Sequence, residues 1–387
     1  MDNPNTPAFS AAEYRRRLTN VRNGMAKNGL DSLLVIVPEN ICYLTGYETI
    51  GFANFTMLIV PVESEPVLLV REMERTVAET TTWLSNFESF EDTEDPVERS
   101  VAVLRDRAYL DGRLGLELGS SPVPVVQIDQ LRTLLGTTQD GTGLVESSRA
   151  IKSEEELALI RRACRVTEVG MEAALQVIQV GVTENDIAAA AYGAMMKAGS
   201  DFFVGDPIVT SGWRSGVAHM TFANRKVEAA DTILLELGGC QRRYFGALMR
   251  GAALNPVRDE VRRMADTIIV SLNSAIDCIK PGITSGEVDE SCRGVLERAG
   301  YEPYFRKRTG YSVGIAYAPG WGEGHIISLQ KDDPTPLQAG MVFHMPPALR
   351  ITREYGLGFS ETVLVTETGC EVLTNSPRSL HVANGEA

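Results

Sequence analysis

Gly181-Val-Thr183 and Gly282-Ile-Thr284 carry the same pattern of a glycine, an aliphatic residue and a threonine, at an offset of 101 residues. The same offset relates two further pairs of landmarks, Gly199 with Gly300 and Ser211 with Ser312. In each copy a glycine separates a long helical pattern from a shorter one, and strand-like segments follow. Repeats of this length favour a duplicated unit over a solenoid, which stacks three or more short units. The sequence therefore predicts two αβ units, related by a pseudo-twofold axis, that form one domain with a cleft between them.

The first copy begins with a strong helix signal. Ser153-Glu-Glu-Glu156 has the S-x-x-E spacing of a capping box, and apolar residues then recur on one helical face as far as Ile178. Gly181 closes this pattern, because glycine reaches the left-handed conformation that ends many helices. Thr183-Glu-Asn-Asp186 begins a second helix, which we expect to end at Gly199.

The residues before this region predict a separate α/β domain. Ser32-Leu-Leu-Val-Ile-Val37 is a continuous apolar run of strand length, which is typical of a strand covered on both faces. Similar runs alternate with helical patterns further along, at residues 56–62, 67–70 and 114–118. We therefore predict an N-terminal domain over residues 1–148 and a second domain over residues 149–387.

Composition excludes several classes of function. The chain of 387 residues has a formal net charge of −14, so its surface repels phosphate backbones and we expect no nucleic-acid partner. No run approaches the length of a membrane span, so we expect no membrane partner. The first ten residues lack a basic segment followed by an apolar one, and the six cysteines are scattered without a C-x-x-C pair. These features favour a reduced, cytoplasmic protein.

Four stretches of the chain carry recognisable signatures. They are Asn40-Ile-Cys-Tyr-Leu-Thr-Gly46, Ala150-Ile-Lys-Ser-Glu-Glu-Glu156, Gly340-Met-Val-Phe-His344 and Glu361-Thr-Val-Leu-Val-Thr366. Their order and spacing resemble the creatinase/prolidase-type pita-bread family. The resemblance implies an α+β fold class, in which a creatinase-type N-terminal α/β domain precedes a pseudo-symmetric pita-bread α/β catalytic domain. It also implies a homodimer that acts on a small molecule.

The family binds two metal ions with five side chains, in the order Asp, Asp, His, Glu and Glu. The resemblance places those ligands at five positions of this chain: Glu236, Ala247, Tyr311, Pro346 and Glu361. Alanine and proline carry no donor side chain and a neutral tyrosine is a poor ligand, whereas a two-metal site needs several carboxylate or imidazole donors. We therefore expect no bound metal and no other cofactor.

Two longer stretches point to one branch of the superfamily. Glu236-Leu-Gly-Gly-Cys-Gln-Arg-Arg-Tyr244 and Arg308-Thr-Gly-Tyr-Ser-Val-Gly-Ile315 resemble the ectoine hydrolases, as do Trp321-Gly-Glu323 and Phe343-His344. That resemblance implies a metal-independent hydrolase that cleaves a C–N bond of a small cyclic amidine, opening ectoine to an N-acetyl-2,4-diaminobutyrate. Met345-Pro-Pro-Ala-Leu-Arg350 departs from the pattern. Two alternatives stay open: a creatinase-like amidinohydrolase or amidohydrolase with another small nitrogenous substrate, and a catalytically dead pita-bread module that binds.

Three residues are candidates for catalysis, namely Glu236, His219 and Glu361. The resemblance puts both carboxylates at former ligand positions, so we expect them to converge on the space that the metals left. Two carboxylates accept the N–H groups of an amidinium, and a buried pair raises the pKa of one member, which then takes a proton from water. His219 matches a histidine of creatinase-type proteins that moves a proton to the leaving nitrogen. Whether Glu236 or His219 activates the water stays open.

Further residues are candidates for substrate binding. The aromatic ones near the cleft stack on a flat cation by cation–π attraction: Tyr311, Tyr317 and Trp321. Glu323 and His344 belong to the matching motifs. Arg243 either pairs with a substrate carboxylate or is a structural arginine, and Arg242 is the alternative that faces inward. In a homodimer of the creatinase type, the segment from Tyr47 to Phe52 lies near the partner's site.

Overall fold

The computed structural model describes residues 6–119, 122–203 and 205–384. The chain divides into two compact units, with the boundary between Arg149 and Ala150. Each unit has its own buried apolar core. Within the described ranges, no helix is both long enough and apolar enough to cross a membrane.

The described part of the first unit contains one mixed sheet and six α-helices. Its strands are β1 (Ser32–Val35), β2 (Met57–Pro61), β3 (Val67–Arg71), β4 (Phe87–Phe90), β5 (Leu114–Leu116) and β6 (Gln139–Asp140). Its helices are α1 (Ala11–Lys27), α2 (Pro38–Thr45), α3 (Arg75–Thr81), α4 (Pro96–Asp106), α5 (Val125–Leu135) and α6 (Glu146–Arg149). The strand order is β4-β3-β2-β1-β5-β6, with β1 antiparallel to β2 and parallel to β5.

Strand β1 is shorter than the apolar run that predicts it. The backbone N–H groups of Ile36 and Val37 donate to the buried Glu117 carboxylate, at 2.9 and 3.0 Å, instead of to a neighbouring strand. The strand therefore ends at Val35. Local hydrophobicity predicts the burial of these residues but not the partner of their amides.

The second unit contains four α-helices and eleven strands among its described residues. The helices are α7 (Glu154–Gln176), α8 (Glu184–Lys197), α9 (Asp259–Cys278) and α10 (Ser285–Arg298). The first strands are β7 (Ile208–Ser211), β8 (Thr232–Gln241), β9 (Tyr244–Leu254), β10 (Gly310–Ser312), β11 (Ser328–Leu329) and β12 (Val342–Met345). The remaining ones are β13 (Ala348–Ile351), β14 (Tyr355–Gly358), β15 (Glu361–Val365), β16 (Cys370–Val372) and β17 (His381–Ala383).

The duplication is visible at the helix starts. Thr183 caps α8 and Thr284 caps α10, each in a complete capping box with an acidic residue three positions later. The preceding glycines, Gly181 and Gly282, have φ angles of 90° and 88°, a region that L-residues with a side chain rarely adopt. Each copy then supplies strands to a separate sheet, in the orders β17-β9-β8-β7 and β11-β10-β12-β15-β16, and β13 pairs with β14.

The β8–β9 hairpin lies at the centre of the first copy and packs on α7. Gly246 allows the close approach, because a Cβ atom there would lie 2.5 Å from the Cys164 Sγ atom and 2.6 Å from its backbone nitrogen. Arg242 and Arg243 form the hairpin turn, with φ angles of 50° and 69°. Both residues therefore lie between the two strands with the left-handed backbone of a tight turn, so strand alternation does not decide which of them faces inward.

Candidate active site

A cleft of about 1140 Å³ opens in the second unit. It lies between the segment after β7, strand β8, the loops around β10 and the β13–β14 hairpin. Its lining includes charged, aromatic and imidazole side chains: His219, Glu236, Lys307, Tyr311, Trp321 and Arg350. Clefts with convergent polar groups are the usual location of small-molecule sites.

Glu236 is the central carboxylate of this cleft. It lies on β8 opposite Met249 of β9 and is only 6 % exposed. Burial raises its pKa, because the charged form loses its hydration, and the nearby charges of Lys307, Arg350 and His219 act in the opposite direction. The balance leaves a carboxylate that holds a proton more readily than an ordinary glutamate, which suits a general base.

Gly238 shapes the cleft beside Glu236. The two residues lie on the same face of β8, because side chains two positions apart in a strand point the same way. A Cβ atom at Gly238 would lie 2.9 Å from a carbon of the Trp321 ring, so the glycine makes room for the indole. Trp321 and Tyr311 therefore line the cleft.

A neutral hydrogen-bonded chain lies behind Glu236. The indole N–H of Trp321 donates to the Tyr311 hydroxyl at 3.1 Å, and that hydroxyl lies 2.9 Å from His344 Nδ1. His344 Nε2 lies 2.7 Å from the hydroxyl of Ser360, which accepts from the backbone N–H of Met249 at 2.6 Å. The pairing of β10 and β12, which sets Tyr311 opposite His344, brings this chain together.

The charge state of this chain follows from its burial. Burial lowers the pKa of His344 well below its usual value and raises that of Tyr311, which the nearby Glu236 raises further. The imidazole is therefore neutral and the phenol protonated at neutral pH. His344 Nδ1 lies 4.0 Å from Glu236 Oε1, so the chain ends beside the carboxylate.

Glu361 does not join Glu236 at the cleft, and the expectation that the two carboxylates converge there is wrong. Glu361 Oε1 accepts from Arg250 Nη2 at 2.8 Å and lies 3.1 Å from Arg378 Nε, and Thr374 donates its hydroxyl proton to Oε2. Residues that follow each other along a strand face opposite sides. Ser360 contacts His344 and Glu361 faces away from it.

His219 lines the cleft, as its motif predicts. It is an exposed residue with a φ of 58°, in the left-handed region that histidine adopts more readily than most residues. Its charge acts on Glu236 across the cleft. Its catalytic role stays a prediction.

Four candidate binding residues of the second unit are not among the described residues that line the cleft, namely Arg243, Tyr317, Glu323 and His344. The guanidinium of Arg243 lies between two aromatic rings, 3.6 Å from the centre of Phe202 and 4.0 Å from that of Tyr317. Glu323 accepts from Lys152 Nζ at 2.9 Å, and both side chains are 1 % exposed. These groups are buried in contacts within the protein. Their contact with substrate stays a prediction.

Tyr47 and Phe52 belong to the first unit. The Tyr47 hydroxyl donates to Glu74 at 3.1 Å, and Thr49 donates to the same carboxylate oxygen at 2.7 Å, so Glu74 organises the segment after α2. The prediction that this segment reaches the site of a partner subunit stays a prediction.

Sequence reasoning missed Lys307 and Arg350. Both line the cleft, and their positive charges lower the pKa of Glu236. The signal for Lys307 was the run Arg306-Lys-Arg308 in an acidic chain, directly before a matching motif. Arg350 lies in the stretch that departs from the family pattern, so no resemblance pointed to it.

The donors near Glu236 do not fit a two-metal centre. Across the part of the chain that the structure describes, no group of three or more His, Cys, Asp or Glu side chains is arranged to hold a metal ion. Ala247 shares the cleft-facing side of the hairpin with Glu236 but has no donor atom. Lys307 and Arg350 add positive charge that would repel a further cation.

The fold and site define a hydrolase scaffold made of a creatinase-type domain and a duplicated catalytic domain. The sequence model of metallopeptidase family M24 matches residues 158–367, and that of the creatinase/prolidase N-terminal domain matches residues 17–151. The chain belongs to the M24 family and is a hydrolase of that family. These matches confirm the predicted α+β class, a creatinase-type domain followed by a pita-bread domain.

Known relatives span almost the whole chain. The hydrolase/peptidase y4tM of Sinorhizobium fredii is 31 % identical, over 97 % of this chain and 98 % of its own. An ectoine hydrolase of Halomonas elongata is 27 % identical, over 97 % and 98 % of the two chains. An Xaa-Pro dipeptidase of Pyrococcus horikoshii is 26 % identical, over 92 % and 96 %.

Solved structures agree on the fold. The prolidase from Pyrococcus horikoshii superposes with a TM-score of 0.82 and 24 % identity, over 94 % of this chain and 99 % of its own. At this identity the likeness establishes the fold, and the reaction has to be argued from the site.

Proposed function

We propose that this protein is a metal-independent hydrolase that cleaves a C–N bond of a small cyclic amidine, with ectoine as the first substrate to test. The observation that carries the proposal is Glu236. It is a buried carboxylate with a raised pKa at a former metal-ligand position, among residues that do not fit a metal centre. The full-length similarity to an ectoine hydrolase supports the choice of substrate.

The chemistry requires a base, a proton donor and a way to hold the cation. The amidinium carbon of the ring is attacked by water, and Glu236 takes the proton that the water loses. One ring nitrogen of the tetrahedral intermediate is then protonated, and its bond to the former amidinium carbon breaks. The products are an amide on one nitrogen and a free amine on the other, which is an N-acetyl-2,4-diaminobutyrate when ectoine is the substrate.

We assign the remaining proton transfers to groups already in the cleft. His219 protonates the departing nitrogen, because an imidazole gives and takes a proton near neutral pH. Tyr311 accepts from Trp321, and His344 orients its hydroxyl. The Tyr311 hydroxyl then donates to the charge that develops on the reacting atoms and does not itself ionise, as donors fixed in place do in other enzymes.

Two further assignments do not depend on the geometry of the cleft. We propose a homodimer in which the segment from Tyr47 to Phe52 approaches the partner's site, and a cytoplasmic location. The homodimer follows the commonest closed symmetry of oligomers.

The experiment follows ectoine by NMR in the presence of the purified protein. We expect ring opening by the natural protein, and a loss of about a hundredfold to ten-thousandfold in kcat for Glu236→Gln, which keeps shape and loses the base. Glu297→Gln, at an exposed position on α10, is the matched control and should retain full activity.

Three other outcomes overturn the proposal in different ways. Cleavage of an Xaa-Pro dipeptide without ectoine turnover would assign the chain to dipeptidases such as its Pyrococcus relative. Turnover of another guanidino or amide compound alone would favour a creatinase-like reaction. Binding of ectoine without turnover would indicate a binding module.

A further inference from the structure

Arg350 is a partly buried arginine of β13 that lines the cleft. Its Nε atom is inaccessible to solvent and has no hydrogen-bond partner among the described residues. Arg250, which has a structural role in the same unit, instead donates five hydrogen bonds, to Glu361 and to four backbone carbonyls. Burying a polar group without a partner is unfavourable, so an unpaired arginine at a cleft wall indicates that a ligand completes its contacts.

Lys307 lies in the same cleft and reinforces the charge of Arg350. Burial and the positive charge of Arg350 lower its pKa, Glu236 acts in the opposite direction, and the balance is a pKa of about 8. No described residue forms a hydrogen bond or an ion pair with its amine. The cleft lining therefore holds four cationic side chains, Arg306, Lys307, Arg308 and Arg350, against two carboxylates, Asp206 and Glu236, in a protein whose formal net charge is −14.

The local charge excess points to an anionic group on the ligand. A second cation beside one carboxylate raises the free energy of a buried site unless a negative charge balances it. Arginine holds a carboxylate through two parallel hydrogen bonds, and a lysine amine adds a point charge. A carboxylate on the ligand supplies negative charge to this excess of positive charge.

We propose that Arg350 and Lys307 form a carboxylate-binding subsite, so that the substrate is a small zwitterion whose amidinium lies at Glu236 and whose carboxylate lies at Arg350. This assignment rests on the proposed function for the amidinium end. It moves the carboxylate contact away from Arg243, which is enclosed by Phe202 and Tyr317. The substrate's carboxylate fixes the orientation of the ring, and with it which nitrogen departs.

The test compares ectoine with 2-methyl-1,4,5,6-tetrahydropyrimidine, which has the same ring without the carboxylate. Binding of each compound is measured by calorimetry in the Glu236→Gln protein, so the result does not depend on turnover. Adding Arg350→Met should weaken ectoine binding by about tenfold to a hundredfold and leave the analogue unchanged. Lys307→Met should act in the same direction, as an independent second variant.

Arg353→Met is the matched control, because Arg353 is an exposed arginine in the same hairpin and does not line the cleft. Thermal unfolding confirms that each variant is folded. Equal affinity of the parent for the two compounds, an equal loss of both in Arg350→Met, or no binding of either would overturn the subsite. If the natural protein fails to open ectoine but Arg350 still controls the preference for it, the subsite stands and the proposed reaction falls.

Discussion

Glu236 illustrates how one side chain changes its chemistry with its surroundings. Burial raises its pKa, and three positive groups restrain that rise. With the neutral His344 4.0 Å away, the carboxylate has no fixed counter-ion within bonding distance among the residues that the structure describes. It is therefore able to take a proton from water and to release it again, which a fully ion-paired carboxylate does less readily.

His219→Asn tests the proton donor. Asparagine tolerates the left-handed backbone of this position, where φ is 58°, so the variant removes the imidazole without adding backbone strain. We expect kcat for ring opening to fall about a hundredfold to ten-thousandfold while KM changes little, because only the proton transfer is lost. Steady-state kinetics by NMR measure both. A folded variant that retains more than about a tenth of the natural kcat rules out this role.

Among the elements, the start of strand β15 decides which residue belongs to the site, because Ser360 directly precedes the strand and Glu361 is its first residue. Ser360 and Glu361 are neighbours in sequence, yet Ser360 contacts His344 and Glu361 binds Arg250. Alternation along the strand accounts for the difference. A sequence comparison that is shifted by one residue therefore assigns a catalytic role to a structural carboxylate.

Glu361→Gln tests the structural role. Glu361 and Arg250 are both 1 % exposed, and removing one partner of a buried ion pair destabilises proteins by about 3–5 kcal/mol. For a domain of this size we expect the midpoint of thermal unfolding to fall by roughly 6–20 °C.

The control is Glu371→Gln, which breaks the exposed pair with Arg161 and should cost about 0–1 kcal/mol. If Glu361→Gln unfolds at the same temperature as the natural protein but abolishes ring opening, Glu361 is catalytic and the structural role assigned to it is wrong.

At the scale of the whole molecule, a duplicated scaffold from a metallopeptidase family surrounds a cleft in which cationic side chains outnumber carboxylates. We expect elemental analysis after dialysis against EDTA to find far less than one metal ion per chain, and ring opening to continue. The physical reason is the donor set, which lacks three grouped carboxylate, imidazole or thiolate ligands among the described residues. Near-stoichiometric zinc, manganese or iron, or activity that returns only with added metal, would contradict this expectation.

Local chemistry in the sequence was sufficient for the architecture and for part of the site. The capping boxes at Ser153, Thr183 and Thr284 act within one helical turn, so the sequence alone reveals the helix starts and their repeat. The sequence alone also shows that Ala247 and Pro346 lack a donor atom, because this depends on residue type and not on position in space.

The arrangement of charges around Glu236 depends on packing between distant segments. Lys307 and Arg350 come from different loops and strands, and the turn conformation of Arg242 and Arg243 removes them from the strand faces. Which of Ser360 and Glu361 faces His344 depends on strand register, since a shift of one residue exchanges the two sides of a sheet. Sequence patterns reveal helix caps and missing metal donors. Side-chain direction and the pairing of buried charges are decided only when the chain folds.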